Sequence, residues 1–158
     1  MKRLFRFYLA IFIIPFFIPM FLTMKILEFI HGAYMKTIST DNAPKAIGPY
    51  SQAVHHHHFV FTSGQIPLNP ETGELVSGNF KAEVLQVLKN LDAVLIASES
   101  SLKKVAKLTV FLTDLSNFAE LNEVFSLYFD DHLPARSAVQ VSALPMNARV
   151  EIEAIGTI

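Results

Sequence analysis

No cysteine occurs anywhere in the 158 residues. Disulfides, thiolate catalysis and cysteine-ligated zinc are therefore excluded; the compartment stays undecided, although a thiol-free chain suits a reducing cytosol. Charge is scarce as well: 13 Lys+Arg stand against 14 Asp+Glu, together 17% of the chain. A body without a basic run argues against nucleic acid as the main partner. The length allows one domain with a real core but not two ordinary ones.

Apolar residues are abundant and unevenly spread. The hydrophobic fraction is 51% and the mean hydropathy +0.37, yet seven of the 14 Phe lie in residues 1–34. Lys2, Arg3, Arg6 and Lys25 against Glu28 make that segment +3, which leaves −4 for the remainder of a chain of net charge −1. Phe7–Met24 is an 18-residue run without a charge. It reaches the lower limit for a bilayer-spanning helix, and its basic flank would keep the N-terminus in the cytoplasm. Pro15 and Pro19 would kink such a helix without forbidding it. A cleaved signal peptide is a second reading, against which stand the length of the apolar run and the absence of a clean small-x-small site. A dispensable leader is the third. The boundary is set at 1–34 and 35–158.

Within the body, residues 36–40, 46–54 and 59–63 read as strands. His55–His58 falls where a hairpin connection belongs. Neighbouring side chains there point in alternate directions, so at most two imidazoles could share a metal without a sharp bend; a polar exposed turn is the expectation, with no metal. Pro70-Glu71-Thr72-Gly73 is a turn signal. Phe80, Val84, Val87, Leu88, Leu91, Val94 and Leu95 recur at helical spacing and predict an amphipathic helix with one buried face. Val105–Leu112 is too short and β-branched for a helix and reads as a central strand. Asp114, Ser116 or Asn117 can cap a second helix, whose stripe of Phe118, Leu121, Phe125 and Tyr128 runs to about Asp131. Ser137–Val141 and Arg149–Ile155 read as the last strands. That order predicts an α+β layer, one mixed sheet with both helices on one face. In the last strand Val150, Ile152 and Ala154 should face the helices, and Arg149, Glu151 and Glu153 should face away. A sheet face left open by its own helices commonly pairs with another subunit.

Two features carry chemistry. Leu133-Pro134-Ala135-Arg136-Ser137 sets an arginine at the head of an apolar strand, and a planar guanidinium suits a small carboxylate. Val150-Glu151-Ile152-Glu153-Ala154 puts two carboxylates on one face, and a glutamate can handle a proton or a water. A structural ion pair of Arg136 with Glu151 or Glu153, the last two strands being neighbours, is the alternative.

Ala46-Ile47-Gly48-Pro49-Tyr50-Ser51-Gln52-Ala53 and Thr62-Ser63-Gly64-Gln65-Ile66-Pro67-Leu68-Asn69-Pro70, with the arginine and glutamate segments, appear in the order found in the Rid family of small imine deaminases (RidA, formerly YjgF). Residues from about Met35 to Ile158 resemble that family, and Met35-Lys36-Thr37-Ile38 resembles its usual start, which suggests Met35 as initiator. The resemblance implies a chorismate-mutase-like homotrimer with sites in the clefts between subunits. It implies hydrolysis of 2-imino acids and their enamines, 2-iminobutanoate and 2-iminopropanoate, to 2-keto acids and ammonia, without metal or organic cofactor. A non-enzymatic trimer, chaperone-like or binding small carboxylates, is the other function found among Rid relatives, and a nuclease role is more distant. By the resemblance Arg136 binds the substrate carboxylate and Glu151 positions or activates water, Glu153 being the competing choice. Tyr50 lines the pocket, against core packing. Ser63 and Gly64 bring backbone close to the ligand. Asn122 lies near the cleft, against solvated helix surface. Two departures stand out: Ala138 occupies a position where many members have cysteine, and the His run replaces a short polar turn. The cytoplasm is the expected location, with membrane anchoring through residues 7–24 as the alternative.

Overall fold

The strongest periodic signal in the body becomes the longest helix among the described residues. In the computed structural model, which describes residues 35–158 and, before them, Leu22 alone, helix α1 spans Phe80–Ala97. All seven residues of its expected stripe are buried. Asn79 caps it, its side-chain oxygen accepting from Lys81 N at 2.9 Å. Helix α2, Phe118–Phe129, follows a 3-10 turn over Leu115–Asn117. Of the three candidate caps Asp114 caps that turn, accepting from Ser116 N at 2.8 Å, while Asn117 stands at the N-cap of α2 without a side-chain cap bond. The expectations for residues 1–34 (anchor, signal or dispensable leader) lie outside the described residues. Among the described residues no helix is long and apolar enough to cross a membrane.

Among the described residues six strands, β1 Lys36–Ile38, β2 Ala53–His56, β3 Phe59–Thr62, β4 Val105–Leu112, β5 Ala135–Gln140 and β6 Val150–Thr157, form one mixed sheet in the order β1-β2-β3-β6-β4-β5. Only β4 and β5 run parallel, joined through α2; the other pairs are antiparallel. The fold is the expected α+β layer, with three corrections. The strand predicted over 46–54 survives only as Ala53–His56. Gly48 and Pro49 interrupt it, and buried Gln52 turns its side chain to backbone instead, with Nε2 3.0 Å from Thr40 O and 2.7 Å from Pro44 O and Oε1 accepting from Thr40 N. Next, β5 and β6 are not neighbours, because β4 lies between them. Finally, Arg149 does not face away from the helices. It precedes β6 and its Nη2 reaches Glu83 of α1 at 2.6 Å.

Alternation in the strands decides what each sheet face does. Val60, Leu108, Val110, Leu112, Val150, Ile152 and Ala154 are buried and join the α1 and α2 stripes in one core. The opposite face keeps Phe59 at 46%, Phe61 at 41% and Val139 at 45% exposure, an apolar surface that neither helix covers.

Candidate active site

Arg136 is the second residue of β5 and stands in register with Leu108 of β4. Parallel partners in register point to one side of a sheet, so Arg136 shares the helix face with buried Leu108. Its Nη2 donates to Asn122 Oδ1 at 2.7 Å, and its guanidinium carbon lies 5.2 Å from the Phe118 ring centre and 5.1 Å from that of Phe125. Two aromatic faces thus hold the cation without using its remaining N–H donors. Leu108, Phe129, Leu133 and Pro134 complete the walls of a cavity of about 350 Å³. Burial lowers the Arg136 pKa from the ordinary arginine value: the group has given up water without gaining an anion. Among the described residues no carboxylate lies within ion-pair distance of it. The alternative of a pair with Glu151 or Glu153 is therefore not what the chain forms.

Glu151 belongs to the other side. It is paired with Phe111 of β4, one step out of phase with the buried residues, and lines a second cavity of about 350 Å³ with Ile47, Tyr50, Ser63, Gly64, Ile66 and Pro145. A one-residue bulge builds this cavity. Phe61 pairs with Ile155, yet Gln65 bridges Ile152, so four steps along one chain answer three along the other. The Thr62 hydroxyl fills the gap, accepting from Ala154 N at 2.9 Å, and Gly64 is carried against the Glu151 side chain. A Cβ on Gly64 would fall 2.7 Å from Glu151 Cδ and overlap Oε1. A side chain here would displace the Glu151 carboxylate, so glycine leaves room for the protein's own side chain, a reason separate from the ligand approach expected. The Ser63 hydroxyl donates to Ser51 O at 2.6 Å, tying the bulge to the Tyr50 loop. Tyr50 is 50% exposed, which removes core packing as its role; its hydroxyl accepts from Ile47 N at 3.3 Å.

Burial raises the Glu151 pKa, and the negative charge of Glu153 two residues along adds to the effect. Desolvation makes the carboxylate a stronger base than a glutamate in water.

The structure thus brings Arg136 to Asn122, and Tyr50, Ser63 and Gly64 to Glu151. It does not bring the two groups together, because they occupy opposite faces of the sheet. The profile of the endoribonuclease L-PSP family matches residues 40–158. A mouse protein named 2-iminobutanoate/2-iminopropanoate deaminase is 50% identical over 120 residues, 76% of this chain and 89% of that protein. The chain belongs to the Rid family. A relative from Pyrococcus horikoshii, named only as a RutC family protein, is 52% identical over 76% of this chain and 95% of its own length. Among solved structures, RidA from an Antarctic Psychrobacter has a TM-score of 0.75 at 52% identity, covering 78% of this chain and 99% of its own. Escherichia coli TdcF, solved with bound serine, has 0.74 at 45% identity, covering 78% and 98%.

Several groups at these cavities had no signal in the sequence. Phe118 and Phe125 look like ordinary core positions of a helical stripe, yet both present ring faces to Arg136. Ile47, Ile66 and Pro145 sit in loops whose path no periodicity predicts. The His run contains the sharp bend that alternation alone would not supply: His55 and His56 end β2, and His57 turns at φ +53°. The rings of His56 and His57 consequently meet with centres 4.2 Å apart. Among the described residues no group of three or more His, Asp or Glu is arranged to hold a metal.

Proposed function

We propose that this Rid domain hydrolyses small 2-imino acids, 2-iminobutanoate and 2-iminopropanoate, to 2-keto acids and ammonia. The observation that carries the reading is Arg136, a guanidinium framed by Phe118 and Phe125, steadied by Asn122 and without a carboxylate partner among the described residues. Such a cation is ready for a substrate carboxylate, which its fork can grip through two bonds. Clamping that end turns an encounter into a positioned reaction. Glu151 takes a proton from water as the water oxygen attacks the C=N carbon. The same carboxyl returns the proton to nitrogen, completing the carbinolamine, and then passes the hydroxyl proton to that nitrogen as the C–N bond breaks and the carbonyl forms: one water enters and one ammonia leaves. An imine, above all a protonated one, is electrophilic enough to need no metal or organic cofactor.

Opposite faces of one sheet cannot serve one substrate. We infer a homotrimer in which each cleft combines Arg136 and Asn122 of one subunit with Tyr50, Ser63, Gly64 and Glu151 of the next. The uncovered face bearing Phe59, Phe61 and Val139 supports such an assembly, because apolar patches of this kind mark contacts between subunits. A thiol-free domain with this chemistry suits the cytoplasm. The test is ammonia release from enzymatically generated 2-iminobutanoate, timed with and without the protein. Acceleration supports the deaminase reading; binding of 2-ketobutyrate with no acceleration would favour a small-carboxylate-binding protein instead.

A further inference from the structure

Helix α1 sends two polar side chains out of its apolar environment, two turns apart, to the two loops that wall the Glu151 cavity. Asn90, 1% exposed, donates to Ile66 O at 3.1 Å and Leu68 O at 2.8 Å, and its oxygen accepts from Gln86 at 2.8 Å. Glu83, 4% exposed, accepts from Arg149 Nε at 3.1 Å and Nη2 at 2.6 Å. The Arg149 guanidinium also lies over the Phe80 ring, 5.5 Å from its centre. Arg149 closes the loop that carries Pro145, in which Met146 and Asn147 adopt φ of +56° and +60°. Two successive non-glycine residues in that region are costly and persist only where their surroundings hold them. Ile66 and Pro145 are the elements of these two loops that touch the cavity.

A buried amide and a buried carboxylate add little stability over well-packed apolar residues, so their placement asks for another use. We propose that Glu83 and Asn90 are positioning residues which, through Arg149 and the two loops, hold Pro145 and Ile66 against Glu151 and keep bulk water, all but the molecule it activates, from its carboxyl group. Within one subunit the titratable groups around Glu151 are Tyr50 in the cavity and Glu153 on its own strand, while Phe111 opposite it, Ser63, Gly64, Ile66 and Pro145 are uncharged; in the inferred trimer Arg136 of the next subunit joins them, in wild type and variants alike. Geometry is therefore the route by which α1 reaches it. The proposal takes the role of Glu151 in turnover from the deaminase reading, whereas the effect on its titration stands apart from that reading.

The test uses the full chain with Glu83→Ala, Glu83→Gln and Asn90→Ala. Carboxyl carbon NMR follows the titration of Glu151, its signal being the one lost in Glu151→Gln, and ammonia release is measured against pH. In Glu83→Ala and Asn90→Ala the Glu151 midpoint should move down towards the ordinary glutamate range, and the acid limb of the rate profile should move with it. Loosened positioning should lower kcat by about three- to tenfold with KM little changed. Glu83→Gln, which still accepts from Arg149, should recover most of the loss. If Asn90→Ala does not fold, Ile66→Ala replaces it, removing only the wall that Asn90 holds. Folded variants whose Glu151 midpoint stays in place overturn the proposal. A wild-type protein that releases no ammonia overturns the deaminase reading instead, and the NMR midpoint then decides the positioning alone.

Discussion

At the scale of single residues, the proposed function assigns binding to Arg136 and chemistry to Glu151. Arg136→Ala should leave a folded protein, since Phe118 and Phe125 still pack with the core, but remove a charge-assisted contact. The expected loss is about 2–4 kcal/mol of transition-state binding, roughly 30- to 1,000-fold in kcat/KM. Arg136→Lys should recover little, because an ammonium lacks the planar fork; a wild-type rate in either variant would exclude the clamp. Glu151→Gln should bind 2-ketobutyrate much as the parent does and turn over imine far more slowly. The direction of its pKa fixes the pH dependence. Water activation needs the ionised carboxylate, and burial raises its pKa. Activity should thus fall as pH drops through a midpoint above that of glutamate in water, and Glu151→Gln should abolish that limb in a pH–rate series.

At the scale of elements, the bulge between β3 and β6 is the feature on which the Glu151 cavity depends. It exists because Gly64 leaves space that the Glu151 side chain fills. Gly64→Ala should therefore displace Glu151 or open the bulge, costing about 1–3 kcal/mol of stability as overpacking does. Truncating the carboxylate removes the clash. The Gly64→Ala/Glu151→Ala pair should be more stable than the two single losses add up to, a coupling of about 1–3 kcal/mol readable by urea denaturation of the four proteins. Additive losses would mean that some other neighbour requires the glycine. Gln52 works at the same scale, its single side chain replacing the strand that its own segment does not form.

At the scale of the whole molecule, the opposite placement of Arg136 and Glu151 predicts complementation between defective subunits. Arg136→Ala and Glu151→Gln proteins, each inactive alone, should regain activity when unfolded, mixed in equal amounts and refolded. In a cyclic trimer every mixed assembly holds one cleft with both groups intact, so recovery should approach roughly a quarter of the wild-type rate. No recovery would place a complete site within one subunit. The 35–158 fragment should sediment as a trimer and retain activity. A monomeric, fully active fragment would contradict shared clefts.

Much of this protein is legible in its residue order because the relevant forces are local. Helical and alternating periodicities depend on neighbours a few positions away, so both helices, the strand over Val105–Leu112 and the inward set Val150, Ile152 and Ala154 follow from the sequence itself. The motifs around Tyr50, Gly64, Arg136 and Glu151 likewise identify the Rid family without coordinates. Strand order is another matter. Nothing in the chain order says that β6 inserts between β3 and β4, or that Arg136 in β5 takes the face opposite Glu151. Nor does it reveal that Arg149 turns to Glu83: alternation counts a strand from its first residue, while a long side chain just before the strand goes where a buried carboxylate awaits it. The use of Gly64 was hidden for the same reason. A glycine's sequence neighbours say that the backbone can come close, but only long-range pairing decides what it comes close to.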